Sequence, residues 1–566
     1  MSPQKDTERD TKRARLDSQK ENFHSGLLED STIEKIHSAF QTSKPYLHCK
    51  IEALVNDNLL RSVRKEILEN LHFTVKETDI YKVFQTGDLA NLDGLPTDEL
   101  EKLSNLFKLR NALYSQEFRD FISSVTNCGP LSGSKTDMSI NSYNEGCHLL
   151  NHDDVIGTRR VSYILYLTDP DQPWNPKDGG ALELYPVIEK GIPATEPTVI
   201  IPPQWNQFVM FTVQPGHSFH SVEEVVPQGK PRLSISGWFH IPQEGEVGYN
   251  PLVEEGQAKS SLEQLQETDS SDNFTKYKTS LEENATEGLT EEDLKSLAEW
   301  MNPSYLDMSM LSQISERFLD ESAVQLKDIL NNELYNNIKE AIMETDEKDG
   351  FGKSTMVPHG TGTHHGKWIC HGPPHKHRYM ILDNTKKVDD DEKTSSLFSN
   401  LQEKFESEPF RHWIAVVTQL LPLGYRGNAR RFRPGHDYTL ATTNTRGQGV
   451  LDVTLCIAIS STTQNGKDDT EDHWESGEFG GYECYMAPHE EEEDPATYKA
   501  ADEDGALLTM SAGENELALV LRDEGVMRFI KYVSARAPGS RWDVAFEYDL
   551  PEENDDDEEK EENKDD

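Results

Sequence analysis

Two histidines, an aspartate and an arginine stand at spacings that could build one site. Asp154 stands two residues after His152, His220 lies 68 residues after His152, and Arg232 follows twelve later, with Ser234 two beyond. Two imidazoles and one carboxylate form the donor set of a facial Fe(II) site, which leaves positions open for a chelating 2-oxoacid and O₂. On an extended strand, residues i and i+2 point the same way, so His152 and Asp154 can face one ion. By the same rule Arg232 and Ser234 share a face, where a guanidinium fork could grip the distal carboxylate of 2-oxoglutarate. Three competitors stand nearby. Asp153 replaces Asp154 if a bulge shifts the register. His217 competes with His220 but falls in the Pro215-Gly216 turn, and His148 shares a strand face with His152 as packing or as support for a ligand.

These residues need strands to carry them. Val161–Leu167, Gln207–Val213 and Leu233–His240 are short β-type runs, and Gly179-Gly180 makes a tight turn into Leu182–Tyr185. No helical pattern separates them, which implies an antiparallel roll or sandwich rather than a βαβ sheet. Ahead of them, Leu47 to Val125 carries mainly helical signals. Leu103, Leu106, Phe107, Leu113, Phe118, Phe121 and Ile122 recur near the helical period and form one apolar face.

The second half repeats the plan. Helices are expected over Leu294–Met301, Met308–Tyr335 and Ser395–Leu421, and strands over Tyr379–Leu382, Val450–Ser460, Glu516–Leu521 and Trp542–Leu550. Phe432-Arg-Pro-Gly435 has the form of Tyr143-Asn-Glu-Gly146, Gly480-Gly481 mirrors Gly179-Gly180, and Arg541 opens the final strand as Arg232 does. Setting Gly435 on Gly146 puts Ala441 at the place of His152 and Thr443 at that of Asp154; counting back from Arg541 puts Phe529 at that of His220. A copy aligned this way has lost all three ligands. A rival metal site is His359, His364, His365, His371, His375 and His377, but the segment is rich in Gly and Pro with no carboxylate at ligand spacing, and reads equally as a loop.

Composition limits what the chain can do. Of 566 residues, 35% are hydrophobic and 8% aromatic, and the formal charge is −46. Residues 1–250 hold 25 Lys and Arg against 35 Asp and Glu, a balance of −10; residues 251–566 hold 31 against 67, a balance of −36. Such a surface disfavours sequence-independent nucleic-acid binding and favours a basic partner. The acidic runs Asp389–Glu392, Glu490–Asp494 and Asp555–Glu562 read as solvated loops and tail, or as attraction for that partner. No apolar run of membrane-spanning length occurs, and Met1 to His24 has no apolar core of a secretory signal. Six cysteines without a CxxC pair suit a reducing compartment. Lys12-Arg13-Ala14-Arg15 reads either as a nuclear-import patch or as part of a disordered tail.

Leu131–Tyr143, Gly146–Asp154, Ser218-Phe-His220 and Arg232-Leu-Ser-Ile-Ser-Gly-Trp-Phe-His240 together resemble the ribosomal prolyl hydroxylases, 2-oxoglutarate oxygenases of fungi and animals. The likeness runs from about Leu54 to Leu550. It implies that His152, Asp154 and His220 hold Fe(II), that Arg232 binds 2-oxoglutarate, and that Tyr143 and Tyr166 help bind it; Tyr166 alone also reads as a core aromatic. It further implies ascorbate to keep the iron reduced, and a basic small-subunit ribosomal protein of the decoding centre as substrate. Its proline would be dihydroxylated at positions 3 and 4, with an effect on translation termination and accuracy. Translation factors are expected partners of the second domain, and nucleus and cytoplasm the expected location. The alternative is an oxygen-sensing binding protein whose C-terminal domain controls a transcription factor's stability. The expected architecture is mixed α and β, with two tandem double-stranded β-helix (jelly-roll) domains and flanking helices. Its parts are a disordered tail (1–25), a catalytic domain (26–245), a linker (246–290), a second non-catalytic domain (291–550) and an acidic tail (551–566).

Overall fold

A computed structural model describes residues 19–89, 96–251, 274–281, 283–363, 366–386, 393–444, 448–459, 474–487 and 506–551. The chain divides into two compact units, the first comprising residues through 264 and the second nearly all of the rest. Within each, helices cover one face of a curled antiparallel sheet.

The first unit opens with helices α1 (Asp30–Gln41) and α2 (Asp57–Asn70), between which runs β1 (His48–Ile51). The hairpin β2 (Thr74–Glu77) and β3 (Tyr81–Gln85) precedes three helices, α3 (Thr97–Lys102), α4 (Ser104–Leu113) and α5 (Gln116–Thr126). The remaining strands are β4 (Thr136–Tyr143), β5 (His148–His152), β6 (Arg159–Tyr166), β7 (Leu182–Leu184), β8 (Val187–Glu189), β9 (Ile192–Pro193), β10 (Val199–Ile201), β11 (Phe208–Thr212), β12 (His220–Val222) and β13 (Arg232–His240). They pair in the order β1-β11-β6-β13-β4-β3-β5-β12-β7-β10, with β2 on β3 and the β8–β9 hairpin apart.

Alternation along β6 and β13 sorts their side chains. Val161, Tyr163, Leu165, Leu233, Ile235 and Phe239 join the helical face in one core, with Leu106, Leu113, Phe118, Phe121 and Ile122. Tyr166, with Tyr143, Leu182, Leu184, Phe211 and Val225, packs in a second cluster inside the roll. Phe118 is the hub of the helical core: its ring lies 4.8 Å from Phe23, 5.4 Å from Phe121 and 6.1 Å from Phe208. Phe23 is therefore no part of a solvated tail. It is buried just after a 3₁₀ turn at Lys20–Asn22, so folded structure begins before residue 26; residues 1–18 lie outside the described residues.

The second unit repeats the sheet. Its strands are β14 (Thr275–Lys276), β15 (Ala323–Lys327), β16 (Trp368–His371), β17 (His377–Leu382), β18 (Gly424–Phe432), β19 (Tyr438–Thr443), β20 (Val450–Ala458), β21 (Glu483–Met486), β22 (Ala506–Met510), β23 (Glu514–Arg522), β24 (Met527–Ile530) and β25 (Arg541–Asp549). They pair in the order β15-β23-β20-β25-β18-β17-β19-β24-β21-β22, with β16 on β17. That is the first order strand for strand, including the extra hairpin. The helices are α6 (Glu291–Ala298), α7 (Met308–Glu321), α8 (Asn332–Asp349), α9 (Lys393–Glu406) and α10 (Glu408–Thr418).

Three expectations change here. The helix expected over Ser395–Leu421 is two, α9 and α10, with Ser407 capping the second. The helix expected over Met308–Tyr335 is two helices with a strand between, because Val324 and Leu326 alternate with Gln325 and Lys327 and pair with β23. The connector expected over 246–290 reaches folded structure early: β14 pairs with β18, and Phe274 and Tyr277 sit under the guanidinium groups of Arg426 and Arg411. Residues 252–273 and the tail from 552 lie outside the described residues. Among the described residues no helix is long and apolar enough to cross a membrane.

Candidate metal centre

The antiparallel register of β5 and β12 sets His220 opposite His152, with ring centroids 4.2 Å apart. Each Nδ1 lies 2.9 Å from the carbonyl oxygen two residues earlier, Leu150 for one and Ser218 for the other. A carbonyl only accepts, so the neutral rings carry their proton on Nδ1 and present the Nε2 lone pair. Asp154 reaches them by another route. β5 ends at His152, and the Asp154 backbone turns left-handed at φ 59°. Strand alternation therefore does not bring carboxylate and imidazole together, as the i, i+2 spacing predicts; a turn off the strand end does, at a residue type that tolerates it.

His152 Nε2 lies 3.2 Å from Asp154 Oδ1, and His220 Nε2 lies 3.5 Å from Oδ2. The three donor atoms fall within 4.8 Å of one another, close enough to share one ion. Burial by itself would raise the Asp154 carboxyl, but the imidazoles, His220 foremost, hold it well below the usual carboxylate range. Burial would lower His152, yet the hydrogen bond with Asp154 raises it. An ionised carboxylate with two properly oriented imidazoles fits Fe(II).

The other candidates fall elsewhere. Asp153 turns its carboxylate to the backbone N–H groups of Val155 and Gly216, and its carbonyl accepts from Ser218 Oγ. His217 lines a surface groove with Lys44, Tyr46 and Gln214, and the buried His148 faces the Gly146 carbonyl. Two groups missed by motif reading do touch the carboxylate: Ser162 Oγ (2.9 Å) and Trp238 Nε1 (3.0 Å) both donate to Asp154 Oδ2. The alternation that turns Tyr166 and Ser234 away from the helices turns these inward too, and is the signal that could have found them.

Arg232 is 1% exposed and flanked by the rings of Tyr143 and Tyr166, at 4.7 and 4.9 Å. Its Nε donates to the Gly180 carbonyl, and its two terminal nitrogens to Ser234 Oγ and the Tyr166 hydroxyl. Tyr166 thus offers an oxygen as well as packing. Gly180 is a fitted position: it sits at φ 72°, and a Cβ there would lie 2.9 Å from Arg232 Cδ. Among the described residues no carboxylate hydrogen-bonds this guanidinium; Glu223 feels its charge, but burial and Glu183 hold that carboxyl well above the usual carboxylate range. The pocket therefore fits an anion, such as the carboxylate of a 2-oxoacid.

The second unit shows the same positions without the same chemistry. Arg541 pairs across strands with Phe432 as Arg232 does with Tyr143. The register sets Arg528 opposite Thr442 and Tyr485, as His220 stands opposite His152 and Leu184. The spacing alignment to Ala441 and Phe529 is thus one residue out on both strands: both strand pairs carry the same register irregularity, but the second unit has one more residue between Gly435 and Thr442 than lies between Gly146 and His152, and one more between Arg528 and Arg541 than between His220 and Arg232. Arg528 pairs with Glu483 and, at 3.2 Å, with Asp452; Arg541 pairs with Asp543, which stands where Ser234 does. Arg522 adds 2.8 Å and 2.7 Å pairs to Asp452 and Glu547. Of the histidine-rich segment, His364 and His365 lie outside the described residues. His371 and His377 stack at 4.8 Å, and among the described residues no three-donor cluster lies wholly in this unit.

Residues 138–240 match the 2OG-Fe(II) oxygenase superfamily, and residues 292–557 match the family described as oxoglutarate and iron-dependent oxygenase degradation C-term. The chain is 38% identical over 511 residues to prolyl 3,4-dihydroxylase OGFOD1 of Ostreococcus tauri, covering 89% of this chain and 95% of that one. It is 30% identical over 541 residues to prolyl 3-hydroxylase OGFOD1 of Xenopus laevis (89% and 88% covered) and 28% identical over 585 residues to that of Mus musculus (89% of each).

Proposed function

The chain belongs to the OGFOD1 family of prolyl hydroxylases, enzymes that depend on Fe(II) and 2-oxoglutarate, and from that premise we propose its site residues and its substrate. His152, Asp154 and His220 hold the iron; Arg232, with Tyr143 and Tyr166, holds 2-oxoglutarate. The observation that carries this reading is one buried site with two halves: three converging ligand atoms, one of them an ionised carboxylate, and a guanidinium that only neutral groups hydrogen-bond. When bound, the iron supplies the oxidation, in which O₂ is consumed, 2-oxoglutarate becomes succinate and CO₂, and a prolyl C–H becomes C–OH. The chain's own residues orient and exclude. The carbonyls of Leu150 and Ser218 fix both rings, Gly180 and the two tyrosines immobilise the guanidinium, and the surrounding cluster of Val225, Leu184 and Phe211 keeps the interior dry.

The substrate of this reading is a proline of a basic small-subunit ribosomal protein at the decoding centre, taken to the 3,4-dihydroxy product, with translation termination and accuracy as the process affected. The name of the Ostreococcus relative supports dihydroxylation, and the charge of −46 suits a basic partner. Ascorbate as reductant, translation factors as partners of residues 291–550, and action in nucleus and cytoplasm belong to the same proposal. The test is mass spectrometry of ribosomal proteins from cells with the chain, without it, and with His152→Ala. One or two added oxygens on a single proline, lost in both other arms, is the expected result; their persistence with His152→Ala would sink the ligand assignment. The match of residues 292–557 to a degradation-linked C-terminal family favours a second reading, oxygen-dependent control of a transcription factor's stability by the second unit. A phenotype that survives His152→Ala would support it.

A further inference from the structure

Asp154 is the least constrained of the three proposed ligands. It lies beyond the end of β5, with a left-handed backbone, so no strand geometry aims its carboxylate. Two side chains do so instead. Ser162 on β6 and Trp238 on β13 are cross-strand neighbours, and both donate to the same oxygen, Oδ2, at 2.9 and 3.0 Å. Trp238 is itself clamped. The Arg159 guanidinium lies 3.5 Å from its ring centroid, and Asp137, opposite Trp238 on β4, holds Arg159 at 3.2 Å. With Oδ2 taken by two donors, Oδ1 is the oxygen left to a metal, on the side of His152 Nε2.

We propose that Ser162 and Trp238 are positioning residues that fix Asp154 as a one-oxygen ligand through Oδ1. The second unit supplies an internal control. At the same cross-strand pair it carries Asp452 and Glu547, neither of which in its ionised form can donate to a carboxylate, and there the ligand histidine positions hold Thr442 and Arg528. Donor pair and ligands are present together in one unit and absent together in the other. A merely structural role, that of satisfying a buried carboxylate, predicts lost stability but no selective effect on metal affinity.

The inference rests on the ligand assignment above, and the experiment separates the two. Mn(II) is titrated into the full chain without substrate, with folding followed by circular dichroism. Ser162→Ala and Trp238→Phe should each weaken Mn(II) binding about 10-fold and together by up to about 100-fold, the usual range for groups behind a ligand. Ser162→Thr keeps the hydroxyl and should restore near wild-type affinity. Folded Ser162→Ala that binds Mn(II) as wild type does would overturn the proposal; that variant, which removes a single oxygen, decides alone if Trp238→Phe does not fold. Wild-type chain that fails to bind Mn(II) would instead overturn the ligand assignment, and the proposal with it.

Discussion

At the scale of single residues, Arg232 shows how far chemistry can be read from spacing. Its place at the start of a strand, two before a serine, suffices to suggest an anion fork. That only neutral groups hydrogen-bond it becomes visible only when β13 is paired with β4 and β6. Arg232→Lys keeps the charge but loses the planar fork, and charged hydrogen bonds of this kind contribute about 1.5–3 kcal/mol each. Affinity for 2-oxoglutarate in the Mn(II)-loaded chain should therefore fall by about 10- to 100-fold, measured by titration, while Mn(II) affinity itself stays close to wild type. A variant with unchanged 2-oxoglutarate affinity would remove Arg232 from the site. Asp154 marks the limit of such reading. Its type and position are legible, but the left-handed turn that delivers it depends on where β12 stops the pairing of β5, a contact between residues 68 apart.

At the scale of elements, period was legible where one face met one core. The apolar stripe from Leu103 to Ile122 lies in the helical core, and all three expected runs of the first roll are strands. Period failed where it changed without punctuation. Leu311, Ile314 and Phe318 obey the helical repeat, then Val324 and Leu326 the strand repeat, with only Ser322 in a left-handed cap between them. Phe23 was missed because a lone aromatic in a polar segment carries no period at all; its burial comes from a partner, Phe118, nearly a hundred residues away. That partnership is testable. Phe118→Ala removes a fully buried ring contacted by four others and should cost about 3–5 kcal/mol, read as a lowered denaturant midpoint of the first unit. Phe23→Ala, at the edge of the cluster, should cost less. Equal costs would mean that the hub is elsewhere.

At the scale of the whole molecule, two sheets of one strand order enclose opposite electrostatic solutions. The first gathers three ligand atoms at the triad and, at Arg232, a guanidinium hydrogen-bonded only by neutral groups. The second sets ion pairs at both places, with Arg528 between Asp452 and Glu483 and with Asp543 on Arg541. Its interior charges thus offset one another, so the surplus of −36 in residues 251–566 is not stored there, and Thr442 and Arg528 in place of two histidines are only half of what differs. Removing one partner of such a network leaves buried carboxylates uncompensated, at about 3–5 kcal/mol. Arg528→Met should therefore speed amide exchange in β20, β21 and β24 while Mn(II) affinity is kept. Adding Mn(II) at about 100 times its Kd should do the converse, stabilising the first unit by roughly 2.7 kcal/mol through mass action and slowing exchange in β5 and β12 without protecting β24. Arg528→His restores one imidazole but faces Thr442 rather than a second histidine, so it should gain no metal. Mn(II)-dependent protection of β24 in the wild-type chain would show that the second unit holds a metal after all.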